Sequence, residues 1–285
     1  MRLTAESLLA LAYLPALAMG LLGYGARRGP TLPRTTELLA TVGSKLSTPA
    51  TIDSMMVEVG NAVAAFQANP SSSRVGIVEL PLPVTGGTEL DDWPGGIRQK
   101  AQTLSLMLPS TFTTLNFSSS ARSISTFLNG ESGVEDCVAV WSHENLRLVS
   151  FPTPEAIDEI KEMTASNPSI VVCLLNPQFF LDPLSRDDSK SFVAGAEVIY
   201  ELTQLNMRGE GLSGALPVRG ILSRSFPGPF RAGRRLDQGG YVLLKEYAQK
   251  PTRAELEVLY LEDSKTRDAG MSLSDQLKRL VPRFD

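Results

Sequence analysis

Histidine occurs once and cysteine twice in this 285-residue chain, and those scarcities exclude whole classes of chemistry. His143 stands alone, and Cys137 and Cys173 lie far apart with no Cys-x-x-Cys, so a zinc site of the usual His/Cys type and a disulfide framework are both set aside. Each cysteine falls inside an apolar strand candidate, where the expected state is a small buried side chain with an inert thiol. Basic excess is also lacking: the formal net charge is −4, which opposes general nucleic-acid binding, because phosphates demand a clustered basic surface. No Gly-x-x-x-x-Gly-Lys-Ser/Thr phosphate cradle and no Gly-x-Ser-x-Gly nucleophile elbow occur. Neither a cofactor nor a metal is expected.

What the chain does have is a buried strand with an abrupt end. Ser169 to Phe180 opens with six consecutive apolar residues, then meets Asn176-Pro177. An apolar run with β-branched members suits a strand covered on both faces. Pro177 cannot donate the next ladder hydrogen bond, so Asn176 marks a sheet edge of the kind where open α/β sheets hold ligands. Upstream, Thr48-Pro49 reads as a capped helix start with Ile52, Met55, Met56, Val59, Val63 and Phe66 on one face. Val75 to Leu80 reads as a strand, and Ile97, Ala101, Leu104 and Leu108 as a helical stripe. Thr113 to Phe117 and Asp136 to Trp141 read as strands around a helix at Ala121 to Leu128, with a short hairpin adding Asn145 to Phe151. Thr153-Pro154-Glu155 starts another helix.

This alternation predicts a mostly parallel, Rossmann-like α/β sheet with flanking helices and right-handed crossovers. Beyond Ala196, Val198, Tyr200 and Leu202 alternate with Glu201 and Thr203. Further strands at Val218 to Ser223 and Tyr241 to Tyr247 extend the sheet in antiparallel fashion. Thr252-Arg-Ala-Glu255 is a capping box opening a helix through Tyr260, and Leu273, Leu277, Leu280 and Val281 form a short amphipathic segment. The division expected is a leader at 1–49, one α/β domain at 50–262 and a tail at 263–285.

The leader has two parts. Ser7 to Ala26 carries no charge and holds the apolar run Leu8 to Met19, with an Ala-x-Ala cleavage option at Ala16 and Ala18; a cleavable signal and a retained anchor are the alternatives. Arg27 to Ala50 is rich in Thr and Ser and sets four basic residues against the single acid Glu37, a transit-peptide composition. A signal followed by a transit-like stretch is the arrangement for plastids enclosed by extra membranes. Ordinary secretion is the rival, and Asn116-Phe117-Ser118 would then be a glycosylation acceptor.

Several motifs have both a chemical and a plain reading. Gly209 to Gly214 matches Gly-x-Gly-x-x-Gly but leads through Pro217 into a strand rather than a helix, which makes it a hairpin turn. His143, after a strand, stands as a rim residue able to shuttle a proton, and with Asn176 it is the candidate ligand-binding pair at the carboxyl ends of the parallel strands. Asp91-Asp92 and Asp187-Asp188 suit a solvated loop and a helix cap better than a metal site. Arg219, Arg224, Arg231, Arg234 and Arg235 form the one basic concentration, with no acid from Arg219 to Asp237. Guanidinium forks suit anionic lipid or an acidic partner, and a solvated hairpin face is the alternative.

The capped helix start at Pro49, the strand Val75 to Pro83 ending in prolines, Leu175-Asn176-Pro177, Glu197 to Tyr200 and Phe226-Pro227-Gly228 together resemble a plastid and cyanobacterial family of domains of unknown function, the DUF1995 type. The resemblance spans Pro49 to Tyr260. It implies a plastid-linked protein, soluble or peripherally bound, in the stroma or on the thylakoid surface. One branch of the family is associated with photosystem II assembly, so thylakoid or photosystem proteins are the implied partners. It carries no catalytic residues to transfer. The leader predicts that a fluorescent fusion of residues 1–50 enters the plastid; secretion, or arrest in the endoplasmic reticulum, would contradict that.

Overall fold

Thr51, Ser54 and six buried apolar side chains build the first helix. α1 spans Ile52–Ala68 and opens on a reciprocal cap. The Thr51 hydroxyl accepts from the Ser54 amide (3.1 Å), and the Ser54 hydroxyl accepts from the Thr51 amide (3.0 Å). The cap is therefore Thr51, three residues later than Thr48-Pro49 suggested, because Ser54 can return the bond. The computed structural model describes residues 43–82, 103–124, 126–128, 138–179, 187–208 and 217–269. Residues 1–42 of the leader, Asp91-Asp92, Ile97 and Ala101, Cys137, the Gly209–Gly214 turn and the stripe from Leu273 lie outside them, whereas Lys45–Leu46, inside the expected leader, form a strand of the sheet.

Among the described residues ten strands form one sheet: β1 Lys45–Leu46, β2 Val75–Glu79, β3 Thr126–Leu128, β4 Val138–His143, β5 Leu146–Ser150, β6 Val171–Leu175, β7 Glu197–Arg208, β8 Pro217–Ser225, β9 Phe230–Arg235 and β10 Tyr241–Tyr247. Their order is β1-β10-β9-β8-β7-β2-β6-β5-β4-β3. Only β7-β2, β2-β6 and β6-β5 pair in parallel; the other neighbours are antiparallel. The α/β class and the antiparallel extension hold, but the expected parallel majority does not. The cause lies at residues 109–150. Pro109–Thr114 is a helix, α2, where Thr113 to Phe117 was expected as a strand, and the expected helix at Ala121 to Leu128 gives way to turns and β3. Pro109 at the helix start and the Thr113 and Thr114 hydroxyls bonded back to the carbonyls of Pro109 and Ser110 favour helix over ladder. The antiparallel pair β3-β4 replaces a crossover, and the expected short hairpin joins β4 to β5.

Further helices are α3 Ile157–Ser166, entered through a 3-10 turn at Pro154–Ala156, α4 Asp187–Ala194 and α5 Arg253–Ala269. Strand alternation divides the core between two faces. Val171, Cys173 and Leu175 pack with α1, α2 and Leu104, whereas Val172 and Leu174 pack with Ile157 and Ile160 of α3. At β7 the alternation breaks. Ile77 pairs with Val198 but Val78 with Tyr200, so Ile199 is an inserted residue, and a bulge turns Ile199 and Tyr200 both toward α1. Val198 therefore faces α3, not the side that Tyr200 and Leu202 share. α5 opens on the capping box read from the sequence, with the Glu255 carboxylate accepting from the Thr252 amide (2.7 Å). It continues past Tyr260 and across the expected boundary at 262. Tyr260 fixes it to the sheet by donating to the Gly233 carbonyl (2.6 Å), and its ring fills the space where any Cβ at position 220 would stand.

Cys173 is wholly buried in the five-residue β6, and burial pushes its thiol far up. Cys173→Ser is expected to cost about 1–3 kcal/mol by placing an unpartnered hydroxyl among apolar neighbours. Chemical denaturation measures it, and rapid thiol labelling of the native protein would show the burial to be wrong.

Candidate functional site

At the carboxyl ends of β2 and β6 the sheet has a notch. β2 stops at Glu79 and β6 at Leu175, but β7, paired with β2 only as far as Glu201, runs on to Arg208. The space between the two ends is a cleft of about 310 Å³, lined by Glu79, Leu80, Pro81, Asn176, Pro177, Gln178, Leu202, Thr203 and Gln204.

Asn176 builds one wall. Its backbone turns into the left-handed region (φ 49°), which an Asn tolerates better than most residues. Its amide N–H donates to Val78 O (2.8 Å). The side chain then repeats a strand's two-way bonding: Nδ2 donates to Leu80 O (2.9 Å), and Oδ1 accepts from Leu80 N–H (3.1 Å). Gln178 Nε2 donates to the Asn176 carbonyl (2.7 Å). The residue expected to hold a ligand thus holds the chain, with both ends of its amide bonded to Leu80.

Three charges meet beside the cleft, which Glu79 lines. Lys250, in the connection between β10 and α5, places Nζ 2.9 Å from Glu79 Oε2 and 3.1 Å from Glu201 Oε2. Glu201 is 2% exposed, and its other oxygen accepts from the Thr203 hydroxyl (3.2 Å). Burial raises the Glu201 carboxyl above the ordinary range and the Glu79 charge adds to it, against the pull of Lys250 and Thr203. Burial alone would lower Lys250, but the two carboxylates outweigh it and hold the ammonium charged above its usual range. The sequence placed Glu201 on a polar strand face. What it could not supply was Lys250, which reaches that face from 49 positions away only because α5 folds over the sheet. The one available signal was an acid inside a strand of an α/β core, which demands a counter-ion.

His143 does not join Asn176. β4 runs antiparallel to β5, so its carboxyl end lies at the amino ends of the parallel strands, with His143 opposite Leu146 and Leu146 opposite Val171. There the imidazole packs on Phe117, with ring centroids 4.6 Å apart. The arginines separate as well. Arg224 bonds Glu197 (2.6 Å) and the Gly228 carbonyl (3.2 Å) and lies 4.5 Å over the Phe230 ring, bracing the Phe-Pro-Gly corner. Arg231 pairs with Glu246 and Arg234 with Asp263, each at 2.9 Å. Arg219 and Arg235 are exposed, and the pairing of Gly220 with Arg234 sets them side by side. Asp187 and Asp188 open α4. Among the described residues no cluster of three or more His, Cys, Asp or Glu could hold a metal ion.

The charge triad has a pH signature. Lys250→Met leaves Glu201 and Glu79 without their cation, at an expected cost of about 2–3 kcal/mol at pH 7, below the range for fully buried pairs because Lys250 is 40% exposed. A carboxyl whose folded pKa is raised binds more protons in the native state, so the stability it contributes is present at low pH and lost as pH rises through that pKa. The gap between wild type and Lys250→Met should therefore narrow as pH falls, starting above the ordinary carboxylate range because the Glu201 carboxyl is raised. Glu201→Gln, which leaves Lys250 its bond to Glu79, should stay within about 1 kcal/mol of wild type. Denaturation curves from pH 4 to 8 check both; a pH-independent gap would contradict the triad.

No solved structure matches the chain at a significant level. A family model described as a domain of unknown function (DUF1995) matches residues 49–258. That match runs from just ahead of α1 into α5 and takes in the notch, the Asn176 clamp and all three members of the charge triad. The chain therefore belongs to the DUF1995 family.

Proposed function

We propose that the protein is a non-enzymatic plastid factor that helps assemble or maintain a thylakoid complex such as photosystem II through protein contacts. One observation carries this reading: the polar groups at the carboxyl ends of the parallel strands, where an α/β enzyme keeps its reactive side chains, are bonded to one another. The Asn176 amide serves Leu80, Gln178 serves Asn176, and Glu79 and Glu201 share Lys250. Such a cleft is a structural junction. The transit-like composition of Arg27 to Ala50 and the family's association with photosystem II support the location and the process. Peripheral contact with anionic lipid rests on Arg219 and Arg235, the two exposed members of the arginine group.

A second reading takes β5, β6, β2 and β7 as a Rossmann-like core that binds a nucleotide or other phosphorylated metabolite in the same cleft, where the parallel ends place it. Electrostatics oppose that reading. Glu79 lines the cleft, and one ammonium stands against two carboxylates, which would repel phosphate.

Tagged protein is expected to co-fractionate with thylakoids or their assembly intermediates, and its loss to lower photosystem II accumulation. Absence from those fractions together with unchanged photosystem II would refute the proposal. A thermal shift with any member of a phosphometabolite panel would favour the second reading.

A further inference from the structure

β7 outlasts its neighbour, and the outlasting part has an open side. In an antiparallel pair a residue directs both backbone groups at its partner, and the next residue directs both away. The Phe226 N–H donates to the Ile199 carbonyl (2.8 Å), and the register with β8 continues unbroken from Tyr200–Ser225 to Arg208–Pro217. Glu201, Thr203, Leu205 and Met207 therefore face β8. Tyr200 faces β2, its partner there being Val78, and Gln204 and Asn206 point the same way, beyond the end of β2. Among the described residues neither has a backbone partner on that side. Both side chains are exposed.

We propose that this edge of β7 binds one extended segment of a partner polypeptide, which adds a strand in line with β2. The proposal deepens the reading of the protein as a contact factor and rests on it. Backbone N–H and C=O groups at strand spacing are matched by another strand and by little else. The notch favours a single chain. The Asn176-Pro177 turn walls its far side, whereas the edge of a second folded sheet would bring its own neighbouring strand about 4.8 Å behind it. The two faces of β7 set the guest's pattern: apolar residues beside Leu205 and Met207, which pack toward α5, and polar ones beside Gln204 and Asn206. At the Glu79 end, two carboxylates share one ammonium, which calls for a basic residue.

The test uses the full chain and a fluorescent synthetic octapeptide of alternating valine and threonine that ends in lysine, followed by polarisation. Gln204→Pro removes one donor from the open side while leaving the bonds to β8, the placement in which a strand tolerates proline. It is expected to weaken binding at least tenfold, whereas Gln204→Ala, which keeps the backbone, should change it less than threefold. Circular dichroism and sedimentation confirm that both variants fold. Equal binding by wild type and Gln204→Pro, or no binding to wild type, would overturn the proposal. So would a wild-type dimer that Gln204→Pro dissociates, since the occupant would then be a second copy. Thylakoid co-fractionation unchanged in Gln204→Pro would overturn this edge as the contact while leaving the function reading standing.

Discussion

The two hydrogen bonds between the Asn176 side chain and the Leu80 backbone set the limit on which the rest of this structure depends. They end the parallel core with its backbone groups matched, at a point where Pro177 prevents β6 from donating further and Pro81 prevents β2 from doing so. A core that stops cleanly at five residues per strand lets β7 leave it and become the first strand of an antiparallel extension. The mismatch between five residues and twelve creates the notch, the cleft and the free edge. Asn is suited to the position on two counts: it accepts positive φ, and its amide sets an N–H donor beside a carbonyl acceptor, the complement of a peptide unit.

The charge triad solves the problem this junction creates on the opposite face. Where β7 leaves β2, α3 and α4 cover one part of the sheet and α5 the other, and the seam between them would expose strand to water. Glu201, Glu79 and Lys250 occupy it as a paired set, with Lys250 supplied by the connection that delivers α5. Tyr260 then anchors that helix against Gly220 and Gly233. Both devices use polar groups for cohesion. That is the physical basis for reading the domain as a binding scaffold.

Much of the fold was legible where periodicity and cap chemistry agree. The α1 stripe from Met55 to Phe66, the apolar run of β6 with its stop at Asn176 and the Thr252–Glu255 box all stand where the sequence puts them, while Ile52 at the head of the stripe is exposed. Legibility failed where local signals compete. Thr113 to Phe117 carries β-favouring residues, yet Pro109 and threonine back-bonding make it the end of a helix, and with that reversal the supposed crossover is an antiparallel β3-β4 pair and His143 stands at the other end of the sheet. The bulge at Ile199 is invisible to a period-two count, because the inserted residue is as apolar as its neighbours. At the site, Asn176 was found by its position but not for its role, since only the backbone of Leu80, 96 residues away, shows what its amide does. Three of the five arginines looked like a surface patch because their acids, Glu197, Glu246 and Asp263, lie outside the run.

β7 beyond Glu201 is a one-sided strand, bonded to β8 and open toward the notch. Residue-resolved amide hydrogen exchange on the unliganded protein measures this directly. Thr203 and Leu205 should exchange slowly, protected by β8, while Gln204 and Asn206 exchange orders of magnitude faster. Uniform protection across Leu202 to Met207 would contradict the account, because it would require a strand already seated where the notch stands open.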